Sequence, residues 1–331
     1  MAVTIHDVAK RAGVAVSTVS KYINHGNLQD DVRVRVEQAI KELEYVPNDI
    51  ARGLKNKKSF AVGVVVPTMK SMFSASIISV MSAELEKKGY SVLFTDCNGE
   101  KKRELDKIRF LSQKMVDAFV ILPSKLIKDD LIGLSKPVVL FDKFVEDYES
   151  DYVGIDNFNA AFEGTNRLID NGHTDIAVLA GEEGIFTSNE RINGYIAALK
   201  QAGIPFNKER VIHTDFTFKV AYEKMCDLIK SENLPTAIFT LNDDCTMGAI
   251  TALNRFGVKI PEDISIIGFD SITMADISNP KIEIVYQPCE EMGIALADCV
   301  IRHMTSKGKK SKKIILKHKI YSGDSIKNLK Q

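Results

Sequence analysis

The sequence predicts an α/β protein in which a three-helix helix-turn-helix head and a hinge helix precede a two-lobed, doubly wound parallel-sheet domain. Three observations predict it. Apolar residues recur at helical spacing in three short runs between Ile5 and Leu43; a segment opening on Pro47 reads as one more short helix; and beyond Lys58 short apolar runs alternate with amphipathic stretches. Regular βα alternation buries a parallel sheet between helices on both faces, and 331 residues are too many for a single core.

The head can be justified residue by residue. Thr4, with Asp7 three positions on, starts the first helix as an N-cap with an acidic residue at N3. Ile5, Val8, Ala9 and Ala12 share a face, and Gly13 stands where a left-handed residue ends a helix. A second helix over about Val16 to Asn24 turns Val19 and Ile23 inward. The third puts Val32, Val36, Ala39, Ile40 and Leu43 on one face and carries Asp30 and Asp31 at its positive end. In the segment that follows, Pro47 sets the entry of the chain and Asn48 caps a helix from Asp49 to Asn56. Such a helix is shorter than the ~12–15 residues needed to persist alone, and Gly53 costs about 1 kcal/mol more, so it is expected to form only with a partner.

In the large domain, strand-like runs fall at Phe60–Val66, Ser91–Thr95, Ala118–Leu122, Val138–Phe141, Ile176–Ala180, Val211–Thr214, Ala237–Leu241, Ile264–Phe269 and Ile284–Tyr286. Several intervening helices end on glycine, at Gly89, Gly172, Gly203 and Gly257. A break near Asp156-Asn157 divides the strands between two similar lobes.

Charge and composition narrow the function classes. Net charge is zero, yet through Lys58 ten Lys/Arg stand against seven Asp/Glu, a small positive excess in the head. Five cysteines (97, 226, 245, 289 and 299) without C-x-x-C spacing fit neither a disulfide framework nor a zinc site. The start runs straight into a charged helix rather than a secretory leader, and no apolar run approaches the ~18 residues of a membrane span, so a cytoplasmic protein is expected. G-x-G-x-x-G, P-loop and G-x-S-x-G patterns are absent, and the six histidines have no evident nucleophile or metal partners. A non-enzyme with no cofactor and no metal is expected.

Val3-Thr4-Ile5-x-Asp7-Val8-Ala9-x-x-Ala12-Gly13-Val14, followed by Thr18-Val19-Ser20 and Asn24 and then Tyr45-x-Pro47-Asn48-x-x-Ala51-Arg52-x-Leu54, resembles the LacI/GalR (lactose–purine repressor) family of bacterial transcriptional regulators. The resemblance implies a sequence-specific DNA-binding repressor with a type I periplasmic-binding-protein-like effector domain. It divides the chain into a DNA-binding head (1–46), a hinge helix and linker (47–58) and an effector-binding and dimerisation domain (59–331). Lobe 1 would take 59–157 and 287–317, lobe 2 158–286 and 318–331. The second helix would lie in the major groove of a pseudo-palindromic operator, with base reading at Val16, Ser17 and Lys21. That suits their chemistry: Lys21 can donate to guanine O6 and N7, Ser17 serves several bases, and Val16 packs on a thymine methyl. Thr18, like Ser20, fits phosphate contact or helix packing, and Asn24 completes the motif. By the same resemblance Leu54 wedges into the minor groove, while Arg52 and Lys55 act mostly through phosphates or the groove. The chain departs from the family at Ala15 and Gln29, which stand where capping residues usually start the second and third helices, a loss of about 0.5–2 kcal/mol at such a position.

Ligands of doubly wound sheets collect beyond the carboxyl ends of strands, and several polar and aromatic residues sit there. Phe73 is placed in the loop after the first strand; Asp142 and Lys143 follow Val138–Phe141; Arg191 opens the helix after Ala180-Gly181, with Thr187 just ahead of it. Phe216, Asn242, Asp270 and Gln287 follow later strands. Carboxylates, amides and a guanidinium bind paired hydroxyls, and flat rings cover the apolar faces of a sugar. The resemblance matches these positions to the hydroxyl-binding and ring-stacking residues of pentose-binding relatives, with Lys143 in place of an arginine, a point donor where they have a fork. A small sugar effector and a homodimer without the family's tetramer-forming tail are therefore expected. The alternative is a catabolite-control-type regulator driven by a protein corepressor or a sugar phosphate. The basic run Lys307, Lys309, Lys310, Lys312 and Lys313 reads as a solvated turn.

Overall fold

The computed structural model describes residues 3–23, 26–45, 58–231, 233–270, 272–305 and 310–330. The hinge segment, including Pro47, Arg52, Leu54 and Lys55, lies outside the described residues, as do Asn24 and the Lys307–Lys309 part of the basic run. The chain falls into two compact units, Met1–Phe60 and Ala61–Gln331.

In the first unit α1 (Ile5–Ala12), α2 (Val16–Ile23) and α3 (Asp30–Glu42) enclose Val8, Ala9, Ala12, Val19, Val36 and Ala39. The Asp7 carboxylate accepts from both the Thr4 amide (2.9 Å) and the Thr4 hydroxyl (2.7 Å). Those bonds hold it below the usual carboxylate range. Gly13 takes φ 64°. Its amide donates to the Lys10 carbonyl and the Val14 amide to that of Ala9, the paired bonds that close a left-handed helix end. Gln29 occupies the N-cap of α3 without a side-chain cap bond, and the Ala15 carbonyl, with no side-chain oxygen beside it, opens α2.

The second unit holds two six-stranded sheets. The first has the order β11-β5-β4-β3-β1-β2, all parallel, built from β1 (Ala61–Val66), β2 (Ser91–Asp96), β3 (Ala118–Ile121), β4 (Val138–Phe141), β5 (Asp151–Ile155) and β11 (Lys313–Leu316). The second has the order β12-β10-β9-β8-β6-β7, from β6 (Ile176–Ala180), β7 (Val211–His213), β8 (Ala237–Thr240), β9 (Ser265–Asp270), β10 (Glu283–Tyr286) and β12 (Lys319–Tyr321). Its edge strand β12 runs antiparallel to β10, a departure from a purely parallel sheet. Helices α4 (Met72–Glu86), α5 (Lys101–Gln113), α6 (Lys128–Leu131) and α12 (Cys289–Thr305) accompany the first sheet. Helices α7 (Asn157–Asp170), α8 (Phe186–Gln201), α9 (Phe218–Lys230), α10 (Asp243–Phe256) and α11 (Ile272–Ile277) accompany the second.

Strands buried on both faces read as continuous apolar runs, and their side chains still divide by twos. In β8, Ala237 and Phe239 join one core with Leu168 and Tyr195, whereas Ile238 joins the opposite core with Met225 and Leu253. The first sheet packs Val65, Phe119, Ile121 and Leu140 against Leu111 and Ile108. The polypeptide passes between the sheets after β5, β10 and β11. No helix among the described residues is long and apolar enough to cross a membrane.

β5 has no counterpart among the strand-like runs read from the sequence. It opens on Asp151, which is fully buried and accepts from Arg302 and from the Lys312 amide (2.7 Å), and it contains Gly154. A buried charge and a glycine interrupt the apolar pattern by which a strand is recognised. β11 and β12 are also missing from those runs, for a different reason: they are only four and three residues long, and β11 alternates exposed and half-buried residues.

α7 and α8 pack without room for a side chain at Gly194, where a Cβ would lie 2.2 Å from the Phe158 carbonyl and 2.9 Å from the Phe162 amide. Backbone cannot give way as a side-chain tip can. Gly194→Ala is expected to lower the unfolding free energy of the large domain by at least the ~1–3 kcal/mol of an overpacked core, read as a fall in urea midpoint. An unchanged midpoint would refute this packing.

Candidate functional site

On α2, Ser17 and Lys21 are exposed and four residues apart, so they stand one above the other on the outer face. Val16 and Thr18 are half-buried, and Val16 packs against the head's core. Gly26 lies against the stem of Lys21: a Cβ there would approach Lys21 Cγ to 2.5 Å, and the Gly26 amide donates to the Lys21 carbonyl (2.8 Å). The turn after α2 thus supports the one basic side chain of that helix's outer face.

In the second unit a cavity of about 700 Å³ opens where the carboxyl ends of strands from both sheets meet. Phe73, Asp142, Lys143, Thr187, Arg191, Phe216, Asn242, Asp270 and Gln287 all line it. Two placements differ from the sequence reading. Phe73 is in the first turn of α4, not in a loop, because Ser71 caps that helix by accepting from the Ser74 amide (3.3 Å). Arg191 lies more than a turn inside α8, which starts at Phe186, so its guanidinium reaches the cavity from the helix flank.

Arg191 organises the floor. Its Nε donates to Asn157 Oδ1 (2.8 Å), its Nη1 to the Leu241 carbonyl (2.5 Å), and its guanidinium carbon sits 3.9 Å from the centre of the Phe269 ring. Asp142 Oδ1 is 4.0 Å from Nη2 and Asp270 Oδ1 3.8 Å from Nη1, ion pairs rather than hydrogen bonds. Burial pushes the Asp142 carboxyl up from its ordinary value against the pull of Arg191 and Lys143. Burial likewise raises Asp270, opposed by Arg191 and by Gln287, whose Nε2 donates to Asp270 Oδ1 at 2.6 Å. Burial lowers the Lys143 ammonium, opposed by Asp142 and Glu104.

Backbone geometry aims these groups. Asp142 has φ 59° and is the centre of a tight turn closed by the Lys143 amide on the Phe141 carbonyl (2.6 Å), the strained hand of a γ-turn. Phe216 (φ 58°) and Asp270 (φ 91°) are also left-handed, and for a bulky phenylalanine that conformation is a genuine outlier. The Asn242 amide donates to the Phe216 carbonyl (3.1 Å) while its oxygen caps α10 on the Cys245 amide (2.8 Å), so Asn242 holds the phenylalanine's turn as well as facing the cavity. Strained conformations of this kind persist where surrounding bonds over-determine them, and they collect at ligand clamps.

Some polar groups of the floor lack partners among the described residues. Asp142 Oδ1 and Gln287 Oε1, both on the cavity wall, accept no hydrogen bond, and neither Asn157 Nδ2 nor Ser188 Oγ is paired. Sequence reasoning missed Ser71, Asn98, Ser124, Glu182, Asp215 and Asp244, which also line the cavity. Asn98 and Ser124 follow β2 and β3, so the strand-end rule would have found them. Asp244 sits one residue past the Asn242-Asp243 pair, and burial, with Asp270 and Asp215 nearby, raises its carboxyl. No group of His, Cys, Asp and Glu among the described residues is arranged to hold a metal ion.

A helix-turn-helix head followed by two parallel-sheet lobes with a polar cleft between them is the architecture of a DNA-binding transcriptional regulator. Residues 4–48 match the bacterial regulatory proteins of the lacI family, and residues 59–323 match the periplasmic binding proteins and sugar binding domain of the LacI family. The chain belongs to the LacI family of DNA-binding transcriptional repressors. It is 34% identical over 296 residues to the HTH-type transcriptional repressor CytR of Escherichia coli (strain K12), covering 88% of this chain and 87% of that one. A Lac repressor dimer bound to operator and the anti-inducer ONPF shares the fold at TM-score 0.85 and 22% identity, over 99% of this chain and 100% of that one. A LacI-family regulator from Enterococcus faecium, solved with bound ribose, is similar at TM-score 0.74 and 26% identity over 81% of this chain and 99% of that one.

Removing Arg191 leaves two carboxylates buried without their cation, at a cost of about 3–5 kcal/mol. A carboxyl whose folded pKa is raised destabilises the fold above its unfolded pKa and ceases to do so once protonated. Arg191→Met should therefore lose stability most at neutral pH, with the deficit shrinking as pH falls and Asp142 and Asp270 take up protons. Denaturant titrations of both proteins across pH test this; a deficit constant with pH would contradict it.

Proposed function

We propose that this repressor binds a small sugar between its lobes and that the sugar sets its affinity for a pseudo-palindromic operator held by a homodimer. One observation carries the reading: two buried acceptors on the cavity wall, Asp142 Oδ1 and Gln287 Oε1, have no hydrogen-bond donor, in a cavity that Phe73 and Phe216 also line. A buried acceptor left unpaired costs about 1–3 kcal/mol, which a ligand hydroxyl offsets. Arg191, Asp270, Asn242, Thr187 and Lys143 supply further partners, and the rings cover apolar C–H faces. The ribose bound by the Enterococcus faecium regulator is a ligand of this chemistry. In the head, Ser17 and Lys21 read base edges with Val16 beside them, while Thr18 and Asn24 serve phosphates or packing. In the hinge, Leu54 wedges into the minor groove and Arg52 and Lys55 act mostly through phosphates or the groove. This assigns residues 1–46 to DNA reading, 47–58 to the hinge and 59–331 to the effector and the dimer.

A sugar phosphate is the second reading, favoured by Lys70, Lys125 and Lys143 on the same wall. Thermal-shift titration with pentoses, hexoses and their phosphates separates the two, since a ligand at ~100 Kd adds roughly 2.7 kcal/mol to the native state. Silence from every sugar and phosphate would sink both.

Lys21→Ala should weaken operator binding by about 1–3 kcal/mol and random-sequence binding much less, because base contacts rather than phosphate contacts discriminate. Equal losses on both DNAs would remove Lys21 from base reading. Asp270→Asn keeps a side chain that tolerates positive φ but sets an amide against the Gln287 donor and deletes the charge facing Arg191. It should abolish the sugar response while leaving sugar-free operator affinity nearly unchanged; a normal response would place the effector elsewhere.

A further inference from the structure

Two contacts tie the lobes together at the rim of the cleft without using any of the nine cleft residues named above. Phe186, the first residue of α8, meets Phe144 of the opposite lobe with ring centroids 4.3 Å apart and planes at 59°. Lys125, after β3, pairs with Glu182, after β6, at 3.6 Å. Both lobe-2 partners belong to one short segment, residues 181–186, between β6 and α8. We propose that this segment is a strap that holds the lobes closed with no ligand present, and so sets the open–closed balance on which an effector acts. The last step rests on the reading of the cleft as an effector site; the strap itself does not.

The construction is asymmetric. On lobe 1, Phe144 is a fixed platform: its ring meets Tyr152 edge-on at 5.9 Å, and the Lys313 ammonium lies 5.1 Å from its centre. Tyr152 in turn donates its hydroxyl to the Asp142 carbonyl (3.0 Å), so the platform is bonded to the turn that aims a cleft carboxylate. On lobe 2, the segment is built to move. Gly184 has φ 86° with open space where a Cβ would stand. Within it the bonds are long, the Gly184 amide to Asn189 Oδ1 at 3.3 Å and the Ile185 amide to the Glu182 carbonyl at 3.4 Å, while its two ends are anchored at 2.9 Å, where the Gly181 carbonyl accepts from His213 Nδ1 and the Ile185 carbonyl from the Asn189 amide.

The strap's root is pressed on the cleft. A Cβ on Gly181 would lie 2.3 Å from the Phe216 ring, so this backbone rests directly on an aromatic wall of the cavity. A ligand that shifts Phe216 shifts the strap. An aromatic pair biases such an equilibrium by about 2- to 10-fold, the dominant part here, because the exposed Lys125–Glu182 pair adds little.

Hydrogen exchange of the full-length protein, with no sugar present, tests the contact. Phe144→Ala lies on the other lobe and far away in sequence, yet it should speed exchange of amides 182–189 by about 2- to 10-fold. Phe186→Ala should do the same, and the double variant no more than either alone. Phe144→Leu, which keeps apolar bulk at a half-exposed rim position, separates loss of the ring contact from loss of folding. Unchanged exchange in these variants would overturn the strap. Phe144→Cys combined with Phe186→Cys and joined by a flexible bis-maleimide should give an intrachain link found by peptide mapping, since the five native cysteines are buried. Operator affinity should then differ between the linked and unlinked forms. Identical affinities would overturn the contact's regulatory role. No arm uses a sugar, so a silent sugar screen would defeat the effector reading and leave the strap standing.

Discussion

The buried guanidinium of Arg191 is the interaction on which the cleft depends. It is 3% exposed, bonded to an asparagine and a main-chain carbonyl, stacked on Phe269 and flanked by carboxylates at 3.8 and 4.0 Å. A lysine could not do this, because only a planar fork can donate in several directions while stacking on a ring. Asp142 comes from the first sheet and Asp270 from the second, so one cation is shared between carboxylates of both walls, with Lys143 acting on Asp142 as well. The desolvation cost of such a cluster is large. The cluster lines the cleft that is proposed above to take a polar ligand, whereas two other buried carboxylates, Asp151 and Glu283, are held by arginines within direct bonding reach.

Backbone strain and electrostatics serve the same end. Asp142, Phe216 and Asp270 follow strand ends in conformations that side chains rarely adopt, and each is fixed by bonds from neighbouring segments. The result is a set of groups pre-aimed before a ligand arrives, which lowers the ordering cost of binding. The two acceptors left unpaired are the complement of that order: rigidity prevents them from turning to find donors within the protein.

The sequence made the head and the cleft legible for different reasons. In the head, helix ends are local events: Thr4, Asp7 and Gly13 mark α1 through bonds within a few residues, and the structure shows the same ends. In the large domain, the rule that ligands gather at strand carboxyl ends brought nine distant positions to one cavity. What escaped was tertiary. β5 is hidden by Asp151, whose burial makes sense only once Arg302 and the Lys312 amide, more than 150 positions on, are beside it. Phe73 is the exception, a loop residue in the sequence reading although its helix start is local: Ser71, a capping residue type, accepts from the Ser74 amide three positions on. Arg191 looked like a helix opener because the start of α8 at Phe186 carries no side-chain cap: Ile185 is its N-cap.

Coupling between ligand and DNA needs a difference between two arrangements, not merely tight binding. In the cleft the donors and acceptors are divided between the lobes: Phe73, Asp142 and Lys143 belong to the first, Thr187, Arg191, Phe216, Asn242 and Asp270 to the second. On the effector reading proposed above, a ligand held by both walls would favour a closed arrangement by the whole of the contacts that opening would break. Arg191 stands beyond hydrogen-bond distance from both carboxylates, so the polar network is incomplete without a ligand, while the proposed strap would draw the lobes together at the rim. Two such opposed tendencies would make an equilibrium that a small ligand can shift, and linkage would make the effect reciprocal: whatever factor a ligand applied to operator affinity, the operator would apply to the ligand.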